Sequence, residues 1–400
     1  MLHAIVMAGG TGTRFWPASR NDAPKQLLRL VGEATMLRQT LDRLGDLAPS
    51  DRQMVVTNKR LVDAVSKQLP ELAAAAIVGE PCKRDTAPCI GLAALLVSRK
   101  DPDATMVVMP ADHVIQPAEK FQATIRQAAA MVEESPNRIV TLGIKPSYAA
   151  EIFGYIHRGA PIASRGVPAP EDKIGLGVNV ASGDSIASAP NNNPTGPRTA
   201  RLAGLAELAP AFIVKQFQEK PDAATAKKYV DSGEYYWNSG IFVWKAATIL
   251  ESLRKRQPEM LAHLEKIVDV WDSPDRDSVF QHEFTAIKPI SIDYAVMEHA
   301  TDVAVIEAPF EWDDLGGWQS LARLAGSDKN GNTIVGTHLG LNTSGTIVRA
   351  DGEHLIVTLG IKDCIIVHTP NATLVADKHS EEQIRQVVKQ LEELGWSDYL

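Results

Sequence analysis

At 400 residues the chain is too long for one ordinary hydrophobic core, and about 150 residues per domain predicts two or three. Its 44% hydrophobic and 22% charged residues exclude wholesale disorder. The 41 Lys and Arg against 49 Asp and Glu leave a net charge of −8, which argues against sequence-independent nucleic-acid binding but not against a small anion held by local cations.

The first apolar run, residues 4–8, stops at Gly9 with no charged region before it, so a signal peptide is not expected. No run approaches the roughly 18 apolar residues of a membrane span. Cys82, Cys89 and Cys364 are an odd set without a second pair or a His partner, which predicts neither a disulfide framework nor a zinc site. A cytoplasmic protein without membrane or nucleic-acid partners is the expectation.

From residue 1 to about 143, strand-like runs at 4–8, 53–57, 76–78, 105–110 and 138–142 alternate with helical patterns. Leu37, Leu41 and Leu44 share one helical spacing, Leu61, Val65 and Leu69 another, and residues 122–132 read as a third helix. This is the signature of a mixed or parallel α/β sheet of Rossmann-like type. Residues 158–210 are rich in Pro, Gly, Ser, Ala and Asn and predict an exposed insertion. Strands at 212–214 and 239–244 follow, then helices over 246–256 and 258–270. In the last seventy residues short β-branched pieces recur about every ten, predicting a small β-rich, β-helix-like module. A terminal helix capped by Ser380 and stopped by Gly395 should pack Ile384, Val387, Val388, Leu391 and Leu394 on it.

The first strand runs into Ala8, Gly9, Gly10, Thr11, Gly12, Thr13 and Arg14. Glycines after a strand let backbone N–H groups approach a phosphate. A dinucleotide fingerprint would need a small residue where Phe15 stands, and a P-loop would need a terminal Gly-Lys-Ser/Thr. Arg14 and Lys25 instead place two cations within a dozen residues of the turn, which suits a polyphosphate.

Residues 8–20 together with Pro24, Lys25 and Gln26 resemble the signature of sugar-1-phosphate nucleotidyltransferases. The Phe15 to Arg20 stretch is most similar to bacterial mannose-1-phosphate guanylyltransferases. The resemblance implies a glycosyltransferase-A-like catalytic domain over 1–325, interrupted at about 158–210, and a β-rich module with its helix over 326–400. It implies GTP and mannose 1-phosphate as substrates. With an exposed β-rich tail it also suggests a homodimer. No room is expected for a second, isomerase barrel.

Asp112 lies just beyond the carboxyl end of the 105–110 strand, where α/β sheets bind ligands, and a carboxylate there can hold Mg²⁺. The resemblance makes Asp112 one metal ligand and Asp293 the second, with Asp313 and Asp314 as competing candidates and His113 as a neighbour. It assigns Gly154, Glu219, Lys220, Asn238 and Ser239 to the sugar phosphate. Glu80 can accept two hydrogen bonds from guanine, a pair that adenine and uracil cannot offer, and so points to GTP. Asp85, Thr86 and Ala87 complete the nucleotide segment. Asp85 stands where the family has Asn, adding a charge that Arg84 would have to offset. The implied catalytic cations are Arg14, Lys25 and Lys220. The nucleophile is already anionic, so no general base is expected.

Overall fold

The computed structural model describes residues 1–10, 12–162 and 208–400. Thr11 and most of the 158–210 segment therefore lie outside the described residues. The strands of the first three quarters are β1 (Leu2–Ala8), β2 (Gln53–Asn58), β3 (Ile77–Glu80), β4 (Thr105–Pro110), β5 (Val114–Gln116), β6 (Ile139–Ile144), β7 (Tyr155–Pro161), β8 (Ala211–Gln218), β9 (Tyr235–Lys245), β10 (Val303–Glu307) and β11 (Glu311–Asp313). Nine of these described strands form one sheet in the order β3-β2-β1-β4-β9-β6-β10-β8-β7, while β5 and β11 pair separately.

β1 to β4 pair in parallel, as the alternation of strand and helix predicts. β9 then inserts antiparallel between β4 and β6 and makes the sheet mixed. That reversal brings the start of β9 to the carboxyl end of β6, with Asn238 opposite Gly143. Strands β1 and β4 read as nearly unbroken apolar runs because both faces are covered. Ile5 faces one core with Val56 and Val108, whereas Ala4 and Val6 face the other with Val55 and Val107, following the strand's two-residue period.

Helices α1 (Met36–Asp42), α2 (Val62–Gln68), α3 (Thr86–Ser98), α4 (Ala118–Glu134), α5 (Ala223–Ser232), α6 (Ala246–Arg256) and α7 (Pro258–Asp269) cover the sheet. Three short ones, α8 (Arg276–Ala286), α9 (Ile292–Ala295) and α10 (Trp318–Ala325), complete this part. Residues 158–161 belong to β7 and are hydrogen-bonded to β8, so the predicted insertion starts too early.

The last part holds β12 (Thr333–Val335), β13 (Thr337–Leu341), β14 (Ile347–Ala350), β15 (Leu355–Leu359), β16 (Cys364–Thr369) and β17 (Ala372–Asp377), then α11 (Ile384–Glu393). β12, β14 and β16 stack in parallel, as do β13 and β15, which fits the predicted β-helix-like module. Ser380 does not cap the terminal helix. A 3-10 turn, Lys378–Gln383, precedes α11 and is itself capped by Asp377, whose carboxylate accepts from the His379 N–H. Ile384, Val388 and Leu391 are buried as expected, but Leu394 is exposed beyond the last turn. The module is also no mere tail. Its Ile347, Ile365 and Val367, with α11, share one core with Phe15 and Trp16 of the glycine loop.

Candidate active site

The carboxyl ends of β1, β3 and β4 open into a cavity of about 250 Å³, walled by Ala8, Gly9, Gly10, Glu80, Thr86 and Asp112 among others. Glu80 is only 8% exposed, and its Oε1 has no hydrogen-bond partner. Burial pushes its carboxyl up to about 8, with the Cys89 thiol acting against that. A buried acceptor left unpaired beside a cavity is costly unless something in the cavity donates to it. An exposed loop position for Glu80 is thereby ruled out.

The segment after Glu80 is fixed by α3. Asp85 has φ 69° and ψ −169°, a strained conformation for a residue with a side chain, and its carboxylate accepts from the Thr86 N–H. Its charge thus lies at the N-terminus of a 13-residue helix, a favourable place for an anion. Arg84 does not offset it, because its guanidinium turns to the carbonyls of Lys83 and Thr285. Thr86 also accepts, at Oγ1, from the Ile292 N–H (2.8 Å), tying this segment to the turn that carries Asp293. Ala87 faces away: it is fully buried, and its N–H bonds the Ile290 carbonyl.

A second cavity, of about 430 Å³, adjoins the first and is lined by Gly12, Thr13, Arg14, Lys25, Asp112 and Asp314 among others. Gly12 has φ 60°, and a Cβ there would stand 2.3 Å from Lys25 Cβ, so only glycine lets the loop close on Lys25. Lys25, 6% exposed, donates to Asp112 Oδ2 at 2.8 Å and to the Asp314 carbonyl. Burial is the largest influence on Asp112 and works against its charge, but the Lys25 ammonium and smaller contributions beside it together hold that carboxyl below its usual range. Burial also drives His113 down to about 4, so it is neutral; it meets the Trp312 indole, as a structural neighbour would. Arg14 donates to Glu382 and to the Gly316 carbonyl, each at 3.1 Å. Of the two competing aspartates, Asp313 is occupied by Arg323 and the Leu315 N–H, whereas Asp314 lines the cavity, pushed up to about 6 by burial.

The third group lies across β9. A Cβ on Gly154 would come within 2.5 Å of Glu219 Oε2, so the missing side chain is what admits that carboxylate. The Gly154 carbonyl accepts from the Asn238 N–H at 2.8 Å, and the Asn238 amide donates to Asp293 Oδ1 at 3.1 Å. Lys220 pairs with Glu219 at 3.2 Å while remaining 59% exposed. Asp293 is pushed up to about 7, first by burial and then by the Glu219 charge. Ser239, although next to Asn238, points to the opposite face of the strand; it is buried and accepts from the Ile241 N–H. It does not join the site.

Gln26, Lys83 and Arg385 were not singled out by sequence reasoning for these places. Gln26 is buried and donates to the Ala8 carbonyl at 2.7 Å, fixing the end of β1. Lys83 lines both cavities, and Arg385 only the second. Among the described residues there is no cluster of three or more His, Cys, Asp or Glu that could hold a metal ion.

The nucleotidyl transferase family model matches residues 3–167 and 195–330, and a mannose-phosphate isomerase/GMP-like β-helix domain matches 336–391. The chain is 36% identical over 400 residues to a mannose-1-phosphate guanylyltransferase of Escherichia coli K12, covering 98% of this chain and 74% of that one. It is 36% identical, with the same coverage, to mannose-1-phosphate guanylyltransferase ManC of Salmonella typhimurium LT2. Among solved structures it is similar to one described as a mannose-1-phosphate geranyltransferase from Thermus thermophilus (TM-score 0.76, 29% identity, 98% and 99% of the two chains). A mannose-6-phosphate isomerase from Helicobacter pylori shares the fold at 20% identity (TM-score 0.54, 78% and 99%).

Proposed function

Because the chain belongs to the nucleotidyl transferase family and is an enzyme of the mannose-1-phosphate guanylyltransferase type, we propose that it transfers GMP from GTP to α-D-mannose 1-phosphate. The products are GDP-mannose and pyrophosphate. The observation that carries the choice of base is the buried, unpartnered Glu80 oxygen on the wall of the first cavity. Guanine N1–H and N2–H₂ together satisfy a carboxylate, and a base lacking that pair leaves the group unpaired.

In the reaction an oxygen of mannose 1-phosphate attacks the α-phosphorus of GTP, a P–O bond forms, and the bond to the β-phosphate breaks in line. The nucleophile arrives as an anion, so no residue is needed to take a proton. The obstacle is charge: at an effective dielectric near 20, each like pair about 4 Å apart costs about 4 kcal/mol. Arg14 and Lys25 face the leaving pyrophosphate and Lys220 the incoming sugar phosphate, with Gly154, Glu219 and Asn238 meeting the sugar.

The donor set supports Mg²⁺ at Asp293 and Asp112. Asp293 is half-buried near the Glu219 charge and its described side-chain hydrogen bond comes from a neutral amide, which leaves carboxylate capacity for a cation. Asp112 is paired with Lys25 and would have to share that bond. When bound, Mg²⁺ supplies the charge compensation between two polyanions that the lysines alone do not complete.

The test is pyrophosphate release with mannose 1-phosphate and Mg²⁺, comparing GTP with ATP, UTP and dTTP. Release with GTP alone is expected. Release with another nucleotide as fast as with GTP would overturn the role given to Glu80.

A further inference from the structure

We propose that Arg385, carried on α11, binds the pyrophosphate end of the nucleoside triphosphate, so that the C-terminal module supplies part of the substrate site. This rests on reading the cleft as a nucleoside-triphosphate site. Arg385 lines the second cavity together with Arg14 and Lys25 but takes no part in the cavity that holds Glu80. It therefore stands by the phosphates farthest from the base.

Charge pairing leaves two cations of this cavity free among the described residues, Lys83 and Arg385, and of these only Arg385 lines the second cavity alone. Lys25 is held by Asp112 and Arg14 by Glu382. Among the described residues Arg385 has no ion pair, although its exposed guanidinium faces a cavity. Pyrophosphate carries three or four negative charges, and a guanidinium fork matches two phosphate oxygens at once.

The helix that presents it is firmly seated. Ile384 and Val388 are buried in the core shared with Phe15. In the turn before the helix, Glu381 accepts from the Gln319 N–H and side-chain amide, at 3.1 and 3.0 Å. Glu382 and Arg385 are three residues apart and share one face, so the same turn that fixes Arg14 aims Arg385. Removing the side chain leaves these anchors in place.

The experiment is calorimetric binding of inorganic pyrophosphate, GTP and GDP-mannose to the wild-type chain, R385A and R385K, alongside steady-state kinetics. For R385A, affinity for pyrophosphate and GTP should fall about tenfold, as for one lost charge-assisted contact. Affinity for GDP-mannose, whose formation releases the pyrophosphate, should stay within about twofold. R385K should recover part of the loss, since it keeps the charge without the fork. Equal loss for all three ligands, unchanged pyrophosphate binding, or a wild-type protein that does not bind pyrophosphate would each overturn the proposal. If pyrophosphate binds through Arg385 but GTP is not turned over, the role of Arg385 stands and the guanylyl-transfer reading falls.

Discussion

The two ends of the cleft are built on opposite electrostatic plans. At the base end a single carboxyl, Glu80, is buried without a cation and held mostly protonated, pushed up to about 8 by burial. At the phosphate end the two cations of the glycine-loop side are already paired, Lys25 with Asp112 and Arg14 with Glu382, while Arg385 stands free among the described residues. The difference separates two tasks. An unpaired buried acceptor makes selection severe, because the wrong base leaves it unpaired. Cations parked on carboxylates instead remain folded and charged without ligand and can exchange those partners for phosphate oxygens when the polyanion arrives.

The largest effects should come where charge compensation is removed. Asp293→Asn and Asp112→Asn are each expected to lower kcat by about 10² to 10³. Their stabilities should part in opposite directions. Asp293 is a half-buried carboxylate pushed up to about 7 by desolvation and the Glu219 charge, so Asn there removes that cost, and the melting temperature should hold or rise at neutral pH. Asp112 balances the buried Lys25, so Asn should lower it. Equal melting shifts in the two variants would break the contrast between paired and unpaired carboxylates.

A smaller, more specific loss is expected at the base end. Glu80→Gln should cost about a hundredfold in kcat/KM for GTP and far less for ATP, collapsing discrimination rather than catalysis. The same carboxyl gives a pH signature. Guanine donates to the carboxylate form, so binding must strip the proton that burial retains. Affinity for GDP should therefore climb by up to about tenfold per pH unit as pH rises toward about 8, and level off above it. Titration calorimetry across that range checks it, and Glu80→Gln should flatten the curve. A flat profile for the wild type would mean that Glu80 does not meet the base.

Much of this cleft could be read from the chain alone because its phosphate-facing residues are contiguous: one strand, one glycine turn and Lys25 a dozen residues on. Asp112 was legible as a carboxylate just beyond a strand end, whereas Glu219 and Asn238 drew their role only from the family resemblance. The helix after Asp85 was not, because ten of its 13 residues are buried and no polar face marks a helical period. Ser239 was misplaced by adjacency, since neighbours in a strand look to opposite faces. Arg385 carries no local signal at all. It reaches the glycine loop only because Phe15 and Trp16 bury themselves against strands more than 300 residues away, and no periodicity reports such a contact. Asp85, an odd residue for the family, has its charge met by the Thr86 N–H at the start of a helix rather than by Arg84.

The smallest effect should follow from shortening the segment between β7 and β8. The family match omits residues 168–194, and the two strands are antiparallel neighbours, with the Ile162 N–H bonded to the Ala211 carbonyl. The strands that the shortened segment must still join are therefore adjacent at Ile162 and Ala211, and loop-closure entropy depends only weakly on length. Deleting 168–194 should leave kcat and the KM for GTP within about twofold, the scale of a surface change away from the site. The informative quantity is the KM for mannose 1-phosphate. Gly154, placed on the sugar side, immediately precedes β7, so a displaced strand would shift Gly154 against Glu219 and raise that KM alone. A rise confined to the sugar phosphate would show that the segment sets the sugar side through β7. A rise in the KM for GTP would instead link it to the base and pyrophosphate ends, which β7 does not touch.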